Sequence, residues 1–105
     1  MGLLFYGGNA EPIQIDDRTL AHLKVVISTK LRRGESFTLS WRHAEAEARG
    51  RSTIWLAPPI PLRYVFDDVE TSDLSRNWLE QLAASANSSS GIMIVPESET
   101  HPVER

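Results

Sequence analysis

Residues 15–41 read I-D-D-R-T-L-A-H-L-K-V-V-I-S-T-K-L-R-R-G-E-S-F-T-L-S-W, and within them the hydrophobic period changes once. Before Gly34 the apolar residues recur every three or four positions, which predicts an amphipathic helix. Four residues form its apolar stripe: Leu20, Leu23, Ile27 and Leu31. After Gly34 apolar and polar residues alternate, which predicts a half-buried strand with Phe37, Leu39 and Trp41 on one face.

Capping signals at both ends support this helix. Asp16 suits the N-cap position, and Ile15 and Leu20 have the spacing of a hydrophobic staple. Gly34 suits the left-handed position after the C-cap. Three basic residues in the last turn complement the negative end of the helix dipole: Lys30, Arg32 and Arg33.

The segment before this helix, Y-G-G-N-A-E-P-I-Q-I over 6–15, has paired glycines that could suggest a phosphate-binding loop. Such a loop leads directly into a helix, whereas here an extended segment follows at 12–15. Paired glycines and an asparagine are also typical of tight turns. The sequence therefore predicts a β-hairpin, with a first strand over 3–6.

The remaining elements follow from the same periodicities. Strands are predicted over 52–56 and 60–66, forming an antiparallel meander with the strand after Gly34. A second helix is predicted from about Asp73, with Leu74 and Trp78 on its apolar side, and a last strand over 92–95. The order β-β-α-β-β-β-α-β predicts an α+β two-layer sandwich, with two helices on one face of a mainly antiparallel sheet. We expect a single domain over 1–96 and a polar, mobile tail over 97–105.

The composition excludes several classes of protein. The chain has 105 residues and no cysteine, so it holds neither disulfides nor thiolate metal sites. No basic segment precedes the short apolar run at 3–6, and no apolar run approaches the ~20 residues that span a bilayer. We therefore expect a soluble, cytoplasmic protein without a signal peptide.

The sequence resembles a group of short bacterial proteins of unknown function. The shared features are the block at 15–41, an opening G-x-L-x-Y-G at 2–7, W-L-x-P-x-I-P-L at 55–62 and N-S-x-x-G-I-x-I-x-P-E at 87–97. Proteins of this group often carry the label "ATP-dependent DNA ligase". The resemblance therefore implies an unknown function, with a ligase label attached.

Ligase chemistry has no counterpart in these residues. A nucleotidyl ligase attaches AMP to a lysine in a K-x-D-G motif. Only Lys24 and Lys30 are present, and neither is followed by aspartate and glycine. A nucleotide-binding fold plus an oligonucleotide-binding domain would also exceed 105 residues. We expect no enzymatic activity, no catalytic residues and no cofactor.

Metal binding is a further alternative, and the sequence gives it little support. His43, Glu45 and Glu47 alternate and could offer three ligands to one ion if the segment were extended. An alanine-rich loop exposed to solvent is the simpler interpretation, because metal ligands need supporting partners. The histidines His22 and His101 are expected on a helix flank and in the tail. We therefore predict no metal site.

Charge is unevenly distributed along the chain. Residues 24–63 hold eight of the eleven basic residues against three glutamates, whereas 64–105 hold eight acidic residues against two arginines. The basic segment suits either a modest nucleic-acid contact or an acidic surface on a protein partner or second copy. A solvated face without a partner is the third alternative. The candidate contact residues are Lys30, Arg32, Arg33, Arg42, Arg49, Arg51, Trp55 and Arg63.

Trp55 is singled out by strand alternation. If Ile54 and Leu56 point inward, Trp55 lies on the opposite face with Thr53; if Trp55 points inward, the outer face is still apolar. Either arrangement leaves an apolar surface on the second face of the sheet. We therefore favour a homo-oligomer or a protein-binding module without a small-molecule ligand, and keep weak nucleic-acid binding as the alternative.

Overall fold

The computed structural model describes residues 1–8, 11–43, 50–69 and 73–94. The predicted α+β class and the order of elements are confirmed. The elements are β1 (Gly2–Tyr6), β2 (Ile13–Ile15), α1 (Asp17–Arg32), β3 (Phe37–Arg42), β4 (Arg51–Leu56), β5 (Leu62–Val65), α2 (Arg76–Ala86) and β6 (Ile92–Met93). The tail predicted over 97–105 lies outside the described residues, as do the loop residues 44–49.

The caps predicted for α1 are confirmed. The side chain of Asp16 accepts a hydrogen bond from the backbone N–H of Thr19 at 3.3 Å. Arg33 is the C-cap, and Gly34 has a φ of 76°, the left-handed conformation that glycine adopts without strain. Within the described ranges, no helix is both long and apolar enough to cross a bilayer.

The strands form two three-stranded sheets. In the first sheet β1 lies between β2 and β5, and both pairings are antiparallel, so the predicted hairpin of β1 and β2 is confirmed. In the second sheet β3 lies between β4 and β6. The β3–β4 pairing is antiparallel, whereas β6 runs parallel to β3.

The predicted meander of three consecutive strands is wrong, because β5 leaves β4 and pairs with β1 instead. The connection between them contains Pro58, Pro59 and Pro61, which have no backbone N–H to donate to a ladder. The carbonyl of Pro61 instead accepts a hydrogen bond from the N–H of Gly7 at 2.9 Å. This bond places the start of β5 beside the end of β1.

Both helices and both sheets contribute to one buried core cluster. The apolar stripe of α1 lies at its centre, with Leu20, Leu23 and Ile27 fully buried. Leu31, the fourth residue of the predicted stripe, is only partly buried at the cluster's margin. Trp41 is also partly buried and packs against the cluster. The remaining buried apolar residues are Leu4, Ile15, Val26, Phe37, Leu39, Leu56, Trp78, Leu82, Ala86 and Ile92.

The second helix begins three residues later than predicted. Ser75 is its N-cap, and the Ser75 hydroxyl accepts a hydrogen bond from the N–H of Trp78 at 3.2 Å. Leu74 therefore precedes the helix and is 45% exposed, contrary to its predicted place on the apolar side. Trp78 is buried, as predicted.

His22, expected on a helix flank, lies on α1 and joins the two helices. Its imidazole is fully buried, and Nε2 accepts a hydrogen bond from the backbone N–H of Ser75 at 2.8 Å. Nδ1 therefore carries the proton and donates it to the carbonyl of Arg18 at 2.7 Å. The ring also contacts Trp78, with 4.3 Å between ring centroids. His22 thus fixes where α2 begins.

A close backbone approach accounts for Gly91, which precedes β6. Its φ is 73°, and a Cβ at this position would lie 2.0 Å from Thr38 Oγ1 and 2.6 Å from the Thr38 carbonyl oxygen. Gly34 has almost the same φ, yet a Cβ there would meet no atom within 4 Å. The two glycines therefore differ in steric surroundings and share their backbone conformation.

This pair predicts unequal costs for the same substitution. Gly34→Ala should lower the free energy of unfolding by about 1–2 kcal/mol, because only the left-handed conformation is penalised. Gly91→Ala should cost about 2 kcal/mol more, because the methyl group also meets the backbone of β3. Urea denaturation of both variants measures the difference. Equal losses would show that the 88–91 turn moves freely away from β3.

Candidate functional site

The second sheet presents one face to the core and one face to solvent. Phe37, Leu39 and Leu56 point to the core, so their alternate neighbours lie on the opposite face, here called the open face. Trp55 is 54% exposed on this face, in agreement with the arrangement in which Leu56 points inward. The open face consists of Thr38, Ser40, Arg42, Arg51, Thr53, Trp55 and Met93.

Two arginines occupy one end of the open face. Arg42 and Arg51 are direct cross-strand partners, and both are exposed. Like charges placed directly opposite each other destabilise a sheet by a few tenths of a kcal/mol to about 1 kcal/mol. None of the described residues of the open face is acidic. An anionic group lying between the two guanidinium groups would relieve this repulsion.

A cavity of about 400 Å³ adjoins Trp55 at the other end of the open face. It lies where the C-terminal ends of α1 and α2 meet the start of β3. Its lining is rich in hydroxyl groups and carries only two charged residues. The lining residues are Lys30, Glu35, Ser36, Phe37, Thr38, Trp55, Ala86, Asn87, Ser88, Ser89 and Gly91.

The two charged residues of this cavity pair with each other. The ammonium group of Lys30 lies 2.5 Å from Glu35 Oε1 and also donates a hydrogen bond to Asn87 Oδ1. The hydrogen bond from Lys30 lowers the pKa of Glu35, and the nearby guanidinium of Arg33 adds to this effect. Lys30, a predicted contact residue, is therefore buried and tied to the joint between α1 and α2.

The structure brings only three of the eight predicted contact residues onto the open face: Arg42, Arg51 and Trp55. Arg32 and Arg33 are exposed around the end of α1. Arg63 lies on the first sheet, with its guanidinium 5.6 Å from the ring centroid of Phe5. Arg49 lies outside the described residues.

A groove of about 710 Å³ runs along the outer side of α1, and sequence reasoning did not find it. Its apolar lining includes Val25, which is 38% exposed, and Val69, which is 94% exposed. Leu74 and Phe66 complete this lining. The exposed Leu74 was the available signal, because it interrupts the polar stretch T-S-D-L-S-R-N over 71–77.

The two ends of this groove differ in charge. Three aspartates (Asp16, Asp17 and Asp68) outnumber Arg18 at the end near the start of α1, whereas Arg32 lines the end near its C-terminus. Lys24 lies between them, with its ammonium group 5.9 Å from the ring centroid of Phe66. The groove therefore combines an apolar centre with an acidic end and a basic end.

Asp17 organises the acidic end. Its carboxylate accepts hydrogen bonds from the backbone N–H groups of Asp67 and Asp68, each at 3.0 Å. The bond from Asp68 is the largest cause that lowers the pKa of Asp17; desolvation by burial opposes it, and the bond from Asp67 adds to the lowering. A Cβ on Gly2 would lie 2.8 Å from Asp17 Oδ1, so only glycine fits beside this carboxylate.

Of the three residues considered as metal ligands, the structure describes only His43. His43 Nε2 lies 2.8 Å from the hydroxyl of Ser52, a distance suited to a nucleophile and its base. Neither residue lines either cavity described above. Glu45 and Glu47 lie outside the described residues, and within those residues no cluster of histidines and carboxylates could hold a metal ion.

These features define a small α+β domain with a basic, tryptophan-bearing sheet face and a separate helix groove. The chain belongs to the family described as a domain of unknown function (DUF7882), whose sequence profile matches residues 1–97. The resemblance to short proteins of unknown function is thereby confirmed. Neither a curated protein nor a solved structure matches the chain significantly.

The hydrogen bonds to Asp17 predict a pH dependence of stability. Its pKa is lower in the folded protein than the usual unfolded value of about 3.9. The carboxylate therefore stabilises the fold fully above that value, and this contribution is lost as pH falls through the folded pKa. Asp17→Asn should lower stability at neutral pH and flatten its decline below about pH 4.

Urea denaturation between neutral and acidic pH measures this effect. Asp73→Asn is the control, because it removes an exposed carboxylate and leaves the hydrogen bonds to Asp17 intact. If the stability of Asp17→Asn declined with falling pH as steeply as that of the wild type, the assignment of this pH dependence to Asp17 would be contradicted.

Proposed function

We propose that the protein is a non-enzymatic interaction module that self-associates through the groove along α1. The observation that carries this proposal is an apolar groove of about 710 Å³, in which Val25, Val69 and Leu74 are exposed. Exposed apolar side chains that cluster in one groove are typical of interaction sites. Scattered single residues would carry no such meaning.

The charge pattern of the groove fits a second copy of the same chain. Val25 lies at the middle of α1, and the helix extends about 24 Å from its acidic to its basic end. In a two-fold dimer, antiparallel α1 helices would place the acidic end of each groove against the basic end of the other. The helix dipoles would also oppose each other favourably. The groove is therefore self-complementary in charge.

A second candidate function is nucleic-acid binding, and one observation favours it. Arg42, Arg51 and Trp55 share the open face, and no described residue of that face is acidic. Guanidinium groups bind phosphates, and exposed tryptophan rings stack on bases. This function uses a different surface from the α1 groove, so the two proposals can be tested separately.

The self-association proposal predicts that Val25→Asp weakens the dimer. Each chain would place a new carboxylate at the two-fold axis, opposite its own copy and away from water. We expect the dissociation constant to rise at least about tenfold, because repulsion and desolvation cost more than about 1.4 kcal/mol. Sedimentation velocity over a concentration series measures the constant.

Ala84→Asp is the matched control, because Ala84 is exposed on α2 outside the groove and the change adds the same charge to a helix. Its dissociation constant should match that of the wild type. A wild-type chain that stays monomeric through the micromolar range would refute the proposal. Equal effects of both variants would refute the groove as the interface.

A further inference from the structure

We infer that the open face binds single-stranded nucleic acid, with one base stacked on Trp55 in the adjoining cavity and a phosphate held between Arg42 and Arg51. This inference rests on the second candidate function and specifies its ligand and geometry. Three independent features carry it: the exposed indole, the cavity beside it whose two charged residues neutralise each other, and the opposed arginine pair.

Trp55 is a fixed platform for stacking. Trp55 is 54% exposed although it lies within a strand. The backbone carbonyl of Trp55 accepts a hydrogen bond from the hydroxyl of Tyr6 at 2.6 Å. This bond ties the end of β4 to the first sheet. A preorganised aromatic ring stacks on a base with little loss of conformational entropy.

The cavity beside Trp55 suits a base better than a phosphate. Its two charged side chains, Lys30 and Glu35, neutralise each other. The C-terminal ends of α1 and α2 both border the cavity, and the negative ends of two helix dipoles disfavour an anion. The hydroxyl groups of Ser36, Ser88 and Ser89 can instead donate to or accept from the polar edge of a base.

The arginine pair suits a phosphate. Arg42 and Arg51 repel each other across the two strands, and a phosphate between them turns this repulsion into two charge-assisted hydrogen bonds. Arg51 and Trp55 are four residues apart on β4, which corresponds to about 13 Å. This separation exceeds one nucleotide, so the stacked base and the bound phosphate belong to different nucleotides of one strand.

The proposed ligand is single-stranded, because the bases of a duplex are paired and stacked on each other and are not free to stack on Trp55. The net charge of −3 does not oppose this site. Three acidic residues gather at the end of the α1 groove: Asp16, Asp17 and Asp68. The described part of the open face carries only positive charges.

The experiment titrates the full chain with octathymidylate and octadeoxyadenylate, following intrinsic tryptophan fluorescence and the anisotropy of labelled oligonucleotide at several salt concentrations. Stacking should quench the emission of the exposed Trp55, since Trp78 is buried and Trp41 half-buried. Trp55→Ala should abolish the quenching and weaken binding about tenfold.

The salt dependence tests the arginine pair. One phosphate held between the two arginines predicts a slope of log K against log salt of about −0.7, and Arg42→Ala or Arg51→Ala should each reduce its magnitude. Arg63→Ala is the matched control, because Arg63 is an exposed strand arginine on the other sheet. All four substituted side chains lie outside the buried core, and circular dichroism verifies that each variant is folded.

The possible outcomes distinguish failure of the proposed binding site from failure of the nucleic-acid-binding function. Absence of binding at low salt would overturn both the nucleic-acid function and this site. Binding without quenching, or with Arg63→Ala as harmful as Arg51→Ala, would overturn the site and leave the function standing. Tighter binding of duplex than of single strands would also overturn the site. Binding of polyglutamate in place of the oligonucleotides would assign the open face to an acidic protein partner.

Discussion

The burial of one helical stripe constrains every other element of this protein. Leu20, Leu23 and Ile27 have no exposed surface, and each fully buried aliphatic side chain contributes roughly 1.5–3 kcal/mol relative to exposure. Because β1 and α2 both pack directly on α1, and both sheets share its core cluster, the helix fixes the sheets relative to each other. The open face and the α1 groove differ in chemistry: the open face is basic and aromatic, whereas the groove is aliphatic with charged ends.

Local signals in the sequence were sufficient for the elements and for the pairing of β1 with β2, and insufficient for the partner of β5. The period of α1, the cap at Asp16 and the turn at Gly34 depend on neighbouring residues, and all three are confirmed. The partner of β5 depends on a contact with Gly7, more than fifty residues away in the chain, which no local pattern encodes. The buried surroundings of His22 could not be predicted for the same reason, since they come from Ser75 and Trp78 on a different helix.

The candidate surfaces were predictable to different degrees. Strand alternation limited Trp55 to two orientations, and the structure shows the one in which Leu56 points inward and the indole is exposed. The juxtaposition of Arg42 and Arg51 needs the register of β3 against β4, which the sequence alone left open. The cavity beside Trp55 combines residues from both helices and from β3 and β4, and the groove joins α1 to the connection after β5. Such composite surfaces require the tertiary structure.

The parallel strand β6 also bears on the order of events during synthesis. Its partner β3 is more than fifty residues upstream, so this pairing closes a large loop and belongs to the slow, non-local part of folding. The turn before β6, held against Thr38, supplies one wall of the cavity beside Trp55. A nascent chain that has emerged from the ribosome only as far as α2 therefore exposes the indole and both arginines without a finished cavity. The cavity beside Trp55 is thus complete only after Ile92 has emerged and paired with β3, which makes this cavity a property of the completed domain.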